Sequence, residues 1–231
     1  MTIISTRLTV DDLEGLPEGD GNRYELIEGE LHVTTQPHME HQIIADAILI
    51  QLFLWNRQTQ QGGLTISAPG IIFAADEAMA PDVVWFSKER LAAHRNPDGK
   101  FYGPPDLAVE VLSKGTKNEK RDRQLKPARY AYWGVREYWL IDRFARQVTV
   151  YRPAEAAYVV AATLNSGDTL DSPMLPEFSC AVSELFVDIS VPSESGVLPW
   201  QQFIPISRQA ATNSRLTPST IARWPLSCVS A

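Results

Sequence analysis

The sequence predicts an α/β (α+β) fold in which a mixed β-sheet is flanked by helices. In the first half of the chain, runs typical of strands alternate with runs typical of helices, and several strands follow one another later. That order favours helices packed on the faces of one mixed sheet. With 231 residues, of which 44% are hydrophobic, the chain can bury one good core, so we expect one main domain.

The charge and the cysteine content narrow the class of protein. A formal net charge of −7 argues against a protein that coats nucleic acid electrostatically. It does not exclude an enzyme that cuts nucleic acid, because acids gathered around a divalent cation add to the same total. The two cysteines, Cys180 and Cys228, form no metal-ligand pattern and indicate no disulfide framework.

The two ends of the chain suggest where it works and where its domain stops. No stretch approaches the ~20 apolar residues of a membrane-spanning helix, and the first residues include acids where a secretory signal needs apolar residues. We therefore expect a cytoplasmic protein. Beyond about residue 188, Ser, Pro and Thr are frequent and few apolar positions recur. We expect residues 1–188 to form the domain and residues 189–231 to be a poorly ordered extension.

Local patterns predict the elements of this domain. Apolar spacing and capping residues predict helices at residues 8–16, 39–60 and 87–94, and a further helix is expected after the strand at residues 107–111. Runs of β-branched and aromatic residues predict strands at residues 24–27, 30–33, 64–68, 71–73, 80–86, 107–111, 137–142, 147–151 and 158–164. A polar loop is expected at residues 95–103, a break between the last two strands at Pro153, and a closing turn with a short helix at residues 175–186.

The strand at residues 107–111 carries the strongest chemical pattern. Leu107, Val109 and Val111 alternate with positions that include Asp106 and Glu110. Strict alternation is typical of a strand with two different faces. One face can lie on the core, and the other presents two carboxylates.

The segment after this strand carries a polar row. Asp122, Lys126 and Tyr130 are spaced by four residues. In an α-helix that spacing places side chains along one side. A strand acid that faces a helix lysine can build a site for a metal ion and a phosphate.

Four side chains are candidates for such a site: Glu25, Asp82, Glu110 and Lys126. Magnesium prefers one or two carboxylates and makes an attacking water more acidic, and a lysine can orient that water or stabilise developing charge. An ionised glutamate in the apolar run around Glu110 is costly to bury unless it is paired or metal-bound. The ordinary alternatives are a turn or cap for Asp82, which follows a proline, and a solvated helix lysine or a partner of Asp122 for Lys126.

Five motifs occur in a fixed order, namely Y-E-L-I-E-G-E, A-P-D-V-V, P-D-L-A-V-E-V-L-S, D-x3-K-x3-Y and G-V-R-E-Y-W-L-I-D. Together they resemble the Uma-two family of restriction-endonuclease-like proteins, which is placed in the PD-(D/E)xK nuclease superfamily. The resemblance covers roughly residues 8–188 and implies a restriction-endonuclease-like fold. It also implies a magnesium-dependent endonuclease that hydrolyses phosphodiester bonds of DNA, with manganese as an alternative cation.

The resemblance implies roles for individual acids. Asp82 matches the acid of the P-D half-motif and Glu110 matches the second acid, and together they would hold the magnesium ion with the backbone carbonyl of Val111. Glu25 matches the N-terminal glutamate of the family, which would approach the same cation. The usual position of the superfamily's lysine, two residues after the second acid, is Leu112 here.

The lysine is the departure from the superfamily pattern. The resemblance places a migrated lysine on the following helix, where Lys126 matches it, and Lys114 is a rival with the right strand parity. Pro127, directly after Lys126, is expected to distort the helix. The side chains expected to support the ligands are Asp106, Asp122 and His41.

Two other classes of protein stay open. The acidic balance and the missing lysine at position 112 also suit a non-catalytic DNA-binding or interaction module on the same fold. A structural dimer partner is a third hypothesis. Since nucleases that cut both strands often dimerise, we expect a homodimer that acts on DNA.

Overall fold

The computed structural model describes residues 7–187, apart from residues 18, 114 and 156 and the side chains of residues 116 and 117. The extension expected at residues 189–231 and the rival lysine Lys114 therefore lie outside the described residues. The described helices are α1 (Val10–Glu14), α2 (Met39–Gln58), α3 (Lys88–His94), α4 (Thr116–Lys120) and α5 (Lys126–Tyr132), with a π-helical turn (Arg121–Leu125) between α4 and α5 and a 3₁₀ turn (Val182–Leu185) near the end. None of these helices is long and apolar enough to cross a membrane.

The strands follow most of the predicted positions. They are β1 (Asn22–Ile27), β2 (Glu30–Thr35), β3 (Leu64–Ser67), β4 (Ile71–Ala74), β5 (Glu77–Met79), β6 (Val83–Phe86), β7 (Phe101–Tyr102), β8 (Leu107–Val111), β9 (Glu137–Asp142), β10 (Gln147–Ala154), β11 (Ala157–Asn165), β12 (Thr169–Asp171) and β13 (Ser179–Ala181). The expected break at Pro153 is wrong, because β10 continues through this residue and bulges earlier, between Val150 and Tyr151. The expected polar loop at residues 95–103 contains the short strand β7.

The strands form two main sheets and a small hairpin sheet. One sheet has the order β11-β10-β9-β8-β6-β3, the second has the order β2-β1-β5-β4-β7, and β12 pairs with β13. Both main sheets are mixed, because β8 runs parallel to β9 and β4 runs parallel to β7, whereas the other pairs are antiparallel. The predicted class of fold is confirmed, but the expected single sheet is divided. Pro81 lies between β5 and β6 and has no N–H to continue a ladder, so the chain leaves one sheet and enters the other there.

The six-stranded sheet is covered on both faces at its centre. On one face, Val109 and Val111 of β8 pack in a cluster with Ile48 and Leu52 of α2. These two helix residues are spaced by four, so they share the apolar side that the sequence predicts. On the other face, Ala108 packs in a cluster with aromatic residues of α5 and β9. Glu110 has the parity of this second face, so β8 directs its carboxylate toward α5.

The helix that follows β8 is not a regular α-helix. The backbone N–H of Lys126 bonds to the carbonyl of Arg121, five residues earlier, which is the π-helical pattern. Pro127 comes next and has no N–H for the helical ladder. The expected distortion is therefore a widened turn just before the proline, and α5 resumes normal geometry at Lys126.

Candidate active site

One open cavity of about 470 Å³ gathers most of the predicted residues. It is lined by residues of β1, β8, the start of α2 and the π-helical turn. The sequence-predicted residues in its lining are Glu25, His41, Asp82, Glu110, Asp122 and Lys126. The structure thus brings together all four main candidates and two of the three side chains expected around them.

Glu110 is the acid of β8 and is only 3% exposed. Its Oε1 accepts a hydrogen bond from Nζ of Lys126 at 2.7 Å and another from the hydroxyl of Tyr130 at 2.8 Å. Both partners belong to α5, where a separation of four residues places them on the same side. The strand acid and the helix lysine therefore meet directly.

Lys126 is shared between two acids. Its Nζ lies 3.0 Å from Oε1 of Glu25, and the same oxygen accepts the backbone N–H of Ala80 at 2.9 Å. Burial alone would lower the pKa of Lys126, but the charges of Glu110 and Glu25 raise it above its ordinary value. Lys126 is 1% exposed, so the alternative of a solvated helix lysine is excluded, and its ammonium stays charged.

Asp82 lies directly before β6 and is held on both carboxylate oxygens. Oδ1 accepts from Nη1 of Arg23 at 2.9 Å, whereas Oδ2 accepts the N–H of Val111 at 2.9 Å and lies 3.2 Å from Nε2 of His41. Burial would raise the pKa of Asp82, but the contacts with His41, Arg23 and Val111 lower it well below its ordinary value. Asp82 is therefore ionised, and a capping role alone does not account for these contacts.

Glu110 has the opposite electrostatic environment. Burial raises the pKa of Glu110, and so do the nearby charges of Asp82 and Glu25, whereas the ammonium of Lys126 lowers it. The net result is a pKa of about 8. In the absence of a further cation, the protonated form of Glu110 is favoured near neutral pH. A cation that bound this carboxylate would favour its ionised form.

Two arginines of the cavity were not predicted from the sequence. Arg23 precedes Glu25 by two residues on β1, so the two side chains share a face of the strand. Arg121 donates from Nε to Oδ1 of Asp122 at 3.0 Å, and Oδ2 of Asp122 accepts the N–H of Ser113 at 3.4 Å. The parity of β1 was a usable signal for Arg23, but nothing in the sequence identifies Arg121.

The structure does not bring Asp106 to this cavity. Its carboxylate accepts the N–H of Ser87 at 2.7 Å and pairs with Arg90 at 3.4 Å and Arg136 at 3.1 Å. Four residues of strand span about 13 Å, so Asp106 and Glu110 share a face but lie at opposite ends of the strand. Asp106 therefore joins the start of β8 to the start of α3. The expectation that it supports the metal ligands is wrong, because its carboxylate lies away from the cavity.

The donor set fits a small hard cation only in part. Asp82 and Glu110 supply the one or two carboxylates that magnesium prefers, and the open cavity leaves room for water. Within residues 7–187 as described, no group of three or more His, Cys, Asp or Glu side chains could hold a metal ion. Oε1 of Glu25 is bonded to Lys126 and Ala80. The residues therefore fit a two-carboxylate site and not a three-carboxylate cage.

The fold is similar to that of a solved protein from Anabaena variabilis ATCC 29413, described as a "putative nuclease belonging to DUF820". The two chains are 22% identical with a TM-score of 0.62, and the similarity covers 78% of this chain and 97% of the other. This similarity concerns the fold alone, and it confirms the predicted class of fold. No curated protein matches the chain.

The family model described as "Uma2: Putative restriction endonuclease" matches residues 10–183. The chain belongs to this family. The resemblance carried by the five sequence motifs is therefore confirmed.

In protein kept free of divalent cations, we expect the unfolding free energy of the wild type to fall as the pH rises. Glu110→Gln should abolish this fall. The folded-state pKa of Glu110, about 8, lies above its ordinary value of 4.5, so its stabilising contribution is complete below about pH 4.5 and is lost as the pH rises through 8. Between about pH 5 and about pH 8, the wild type should lose on the order of 3 kcal/mol of unfolding free energy relative to the variant. Urea unfolding at both pH values measures the difference.

The matched control is Glu89→Gln, which alters an exposed glutamate on α3. This control should leave the pH dependence of the wild type unchanged. A Glu110→Gln effect of the same size at both pH values would show that the pKa of Glu110 is not raised.

Proposed function

We propose that this protein is a magnesium-dependent endonuclease that hydrolyses phosphodiester bonds of DNA. The observation that supports it is the convergence of Glu25, Asp82 and Glu110, from three separate segments, with the buried ammonium of Lys126 in one open cavity. The chain belongs to a family described as "Putative restriction endonuclease", and this description agrees with the proposed reaction. The cytoplasmic location remains a prediction from the sequence.

Asp82 and Glu110 would hold the magnesium ion, for which manganese could substitute. A bound magnesium ion would neutralise charge on the phosphate and make an attacking water more acidic. The contacts of Asp82 with Arg23 and His41 keep its carboxylate ionised before any cation arrives. Glu25, which sequence reasoning placed among the ligands, is better suited to fix the position of Lys126.

Lys126 would supply positive charge where the reaction develops negative charge. Its ammonium is held between Glu25 and Glu110 and needs no rearrangement to become charged. A preorganised donor in a site shielded from water stabilises developing charge more than water does. The same ammonium could orient the attacking water by a hydrogen bond.

The lining of the cavity is close to electrical balance, which allows a phosphate to enter. Its acids are Glu25, Asp82, Glu110 and Asp122, and its permanent cations are Arg23, Arg121 and Lys126. Protonation of Glu110, which its raised pKa favours, brings the two signs level. A bound divalent cation would then make the cavity attractive to a phosphodiester.

We expect plasmid nicking by the wild type with magnesium or manganese, and none above background by Glu110→Gln. Asp82→Asn should behave in the same way because it removes the other proposed ligand. Lys126→Met should lower the rate about 100-fold, since a preorganised donor commonly contributes that much. Gel analysis of supercoiled, nicked and linear plasmid over time gives the rates.

Asp171→Asn, on an exposed position of β12, is the control and should cut like the wild type. Equal background cleavage by all variants would remove the enzymatic proposal and favour the non-catalytic DNA-binding module. A calorimetric titration with manganese separates these two hypotheses. Binding to the wild type that Asp82→Asn abolishes supports the enzyme, provided that thermal melting shows both proteins folded.

We also propose that the protein forms a homodimer through the outer side of α2. Asp46, Ile50, Phe53 and Arg57 are all exposed and lie along one stripe of this helix, with Ile50 53% and Phe53 45% exposed. In an antiparallel pair of α2 helices related by a two-fold axis, Asp46 would face Arg57 of the second copy, and Ile50 would face Phe53. The stripe is therefore complementary to itself in both charge and apolar surface.

We expect Asp46→Arg to weaken self-association about tenfold, which corresponds to about 1.4 kcal/mol. The new arginine would face Arg57 of the second copy, and the two like charges repel each other. Arg57→Asp should do the same, and the double variant Asp46→Arg/Arg57→Asp should restore the affinity. Sedimentation velocity over a range of concentrations measures these changes. Glu89→Arg, on the exposed side of α3, is the control. A wild type that stays monomeric, or a double variant that fails to recover, would contradict this interface.

A further inference from the structure

A second cavity lies beside the candidate active site. Its volume is about 360 Å³, and it is formed by the end of β2, the start of α2, Ser113 and Arg143. We call it the side groove. Thr34, Thr35, Gln36, Pro37, His41 and Ser113 line both cavities. The two cavities therefore adjoin along these residues, so a strand bound in the active-site cavity would have its next phosphate beside the side groove.

The electrostatic character of the side groove differs from that of the active-site cavity. The described residues that line it include the guanidinium of Arg143 and no Asp or Glu. The active-site cavity is lined by four acids. A metal ion is therefore favoured only in the first cavity, and an anion is favoured in the side groove.

Arg143 is held in the groove with hydrogen-bonding capacity left over. It follows β9, its side chain is 8% exposed, and its guanidinium lies over the ring of Phe144 at 4.4 Å. Nη1 donates to Oε2 of Glu40 at 2.6 Å, whereas Nε is buried without a hydrogen-bond partner in the described part of the chain. Since a buried donor without a partner is costly, a ligand that hydrogen-bonded to this guanidinium would be favoured.

The start of α2 adds a second source of positive potential. The helix is 20 residues long, and the positive end of its dipole lies at His38, which caps it, and at His41. Nε2 of His41 is used by Asp82, and its Nδ1 is also buried without a partner among the described residues. Two residues that each carry an incompletely used buried nitrogen, His41 and Arg143, therefore line the same groove.

We propose that the side groove binds a phosphate of the DNA strand, next to the phosphate that is cleaved in the active-site cavity. This inference rests on the proposed function, because it assumes that the ligand is a DNA strand. Arg143 supplies a planar guanidinium that matches the geometry of a phosphate, and the start of α2 supplies the dipole. Glu40 pairs with Arg143 from a side chain that is 52% exposed, so it turns into solvent at little cost when the phosphate arrives.

The test measures DNA binding without cleavage, in the Glu110→Gln background and without divalent cations. The probes are a fluorescent single strand and a fluorescent duplex of about 12 nucleotides, titrated at several salt concentrations. Arg143→Gln should weaken binding at least tenfold and reduce the slope of log affinity against log salt by about 1, because one phosphate contact is lost. Arg95→Gln, an exposed arginine after α3, is the control and should change neither quantity.

A second variant, Arg143→Lys, separates loss of the phosphate contact from misfolding of the protein. Arg143→Lys keeps the charge but not the planar fork, so it should keep most of the salt slope and lose part of the affinity. Thermal melting establishes that each variant is folded. In the active wild-type background, Arg143→Gln should raise KM and leave kcat nearly unchanged, since the contact is made before and during cleavage alike.

Three results would overturn the inference. If Arg143→Gln leaves affinity and salt slope unchanged while nicking persists, the groove does not bind the strand, although the proposed function stands. If inorganic phosphate binds through Arg143 at micromolar concentration and DNA affinity does not depend on Arg143, the groove holds a free anion. If no protein with Arg143 binds DNA and the wild type does not cut it, the side-groove proposal and the proposed function fail together.

Discussion

The ammonium of Lys126, shared between Glu25 and Glu110, is the interaction on which the candidate site depends. Glu25 belongs to the five-stranded sheet, Glu110 to the six-stranded sheet, and Lys126 to α5. All three side chains are buried, and the ammonium of Lys126 would be strongly destabilising there without a partner. The contact therefore joins both sheets to the helix, and its three residues line the cavity.

Asp82 is also buried, and it is held by contacts from three different elements. It receives Arg23 from the five-stranded sheet, His41 from α2 and the N–H of Val111 from β8. Two acids that lie near each other thus have different environments, which lower the pKa of Asp82 and raise the pKa of Glu110. In the proposed magnesium site, one ionised and one protonated carboxyl group would accept the cation by releasing a single proton.

The sequence predicts what depends on local periodicity and on the cost of burying charge. The alternation around Glu110 predicts its strand and face, and the cost of an ionised group in an apolar run marks it as a site residue. Pairing between distant segments is not visible in this way, so the division into two sheets was missed. Asp106 was misplaced because strand parity defines a face and not a position along it. The π-helical turn at Arg121–Leu125 was not foreseen, since the spacing argument assumes regular α-helical geometry.

The chain order of the shared contact has a consequence for how the protein is made. Synthesis from the N-terminus delivers Glu25 and Asp82 first, Glu110 next and Lys126 only afterwards. A nascent chain that ends before α5 contains Glu25 and Glu110 without the ammonium of Lys126 that they share. The site is therefore complete only in a chain whose synthesis has passed residue 126.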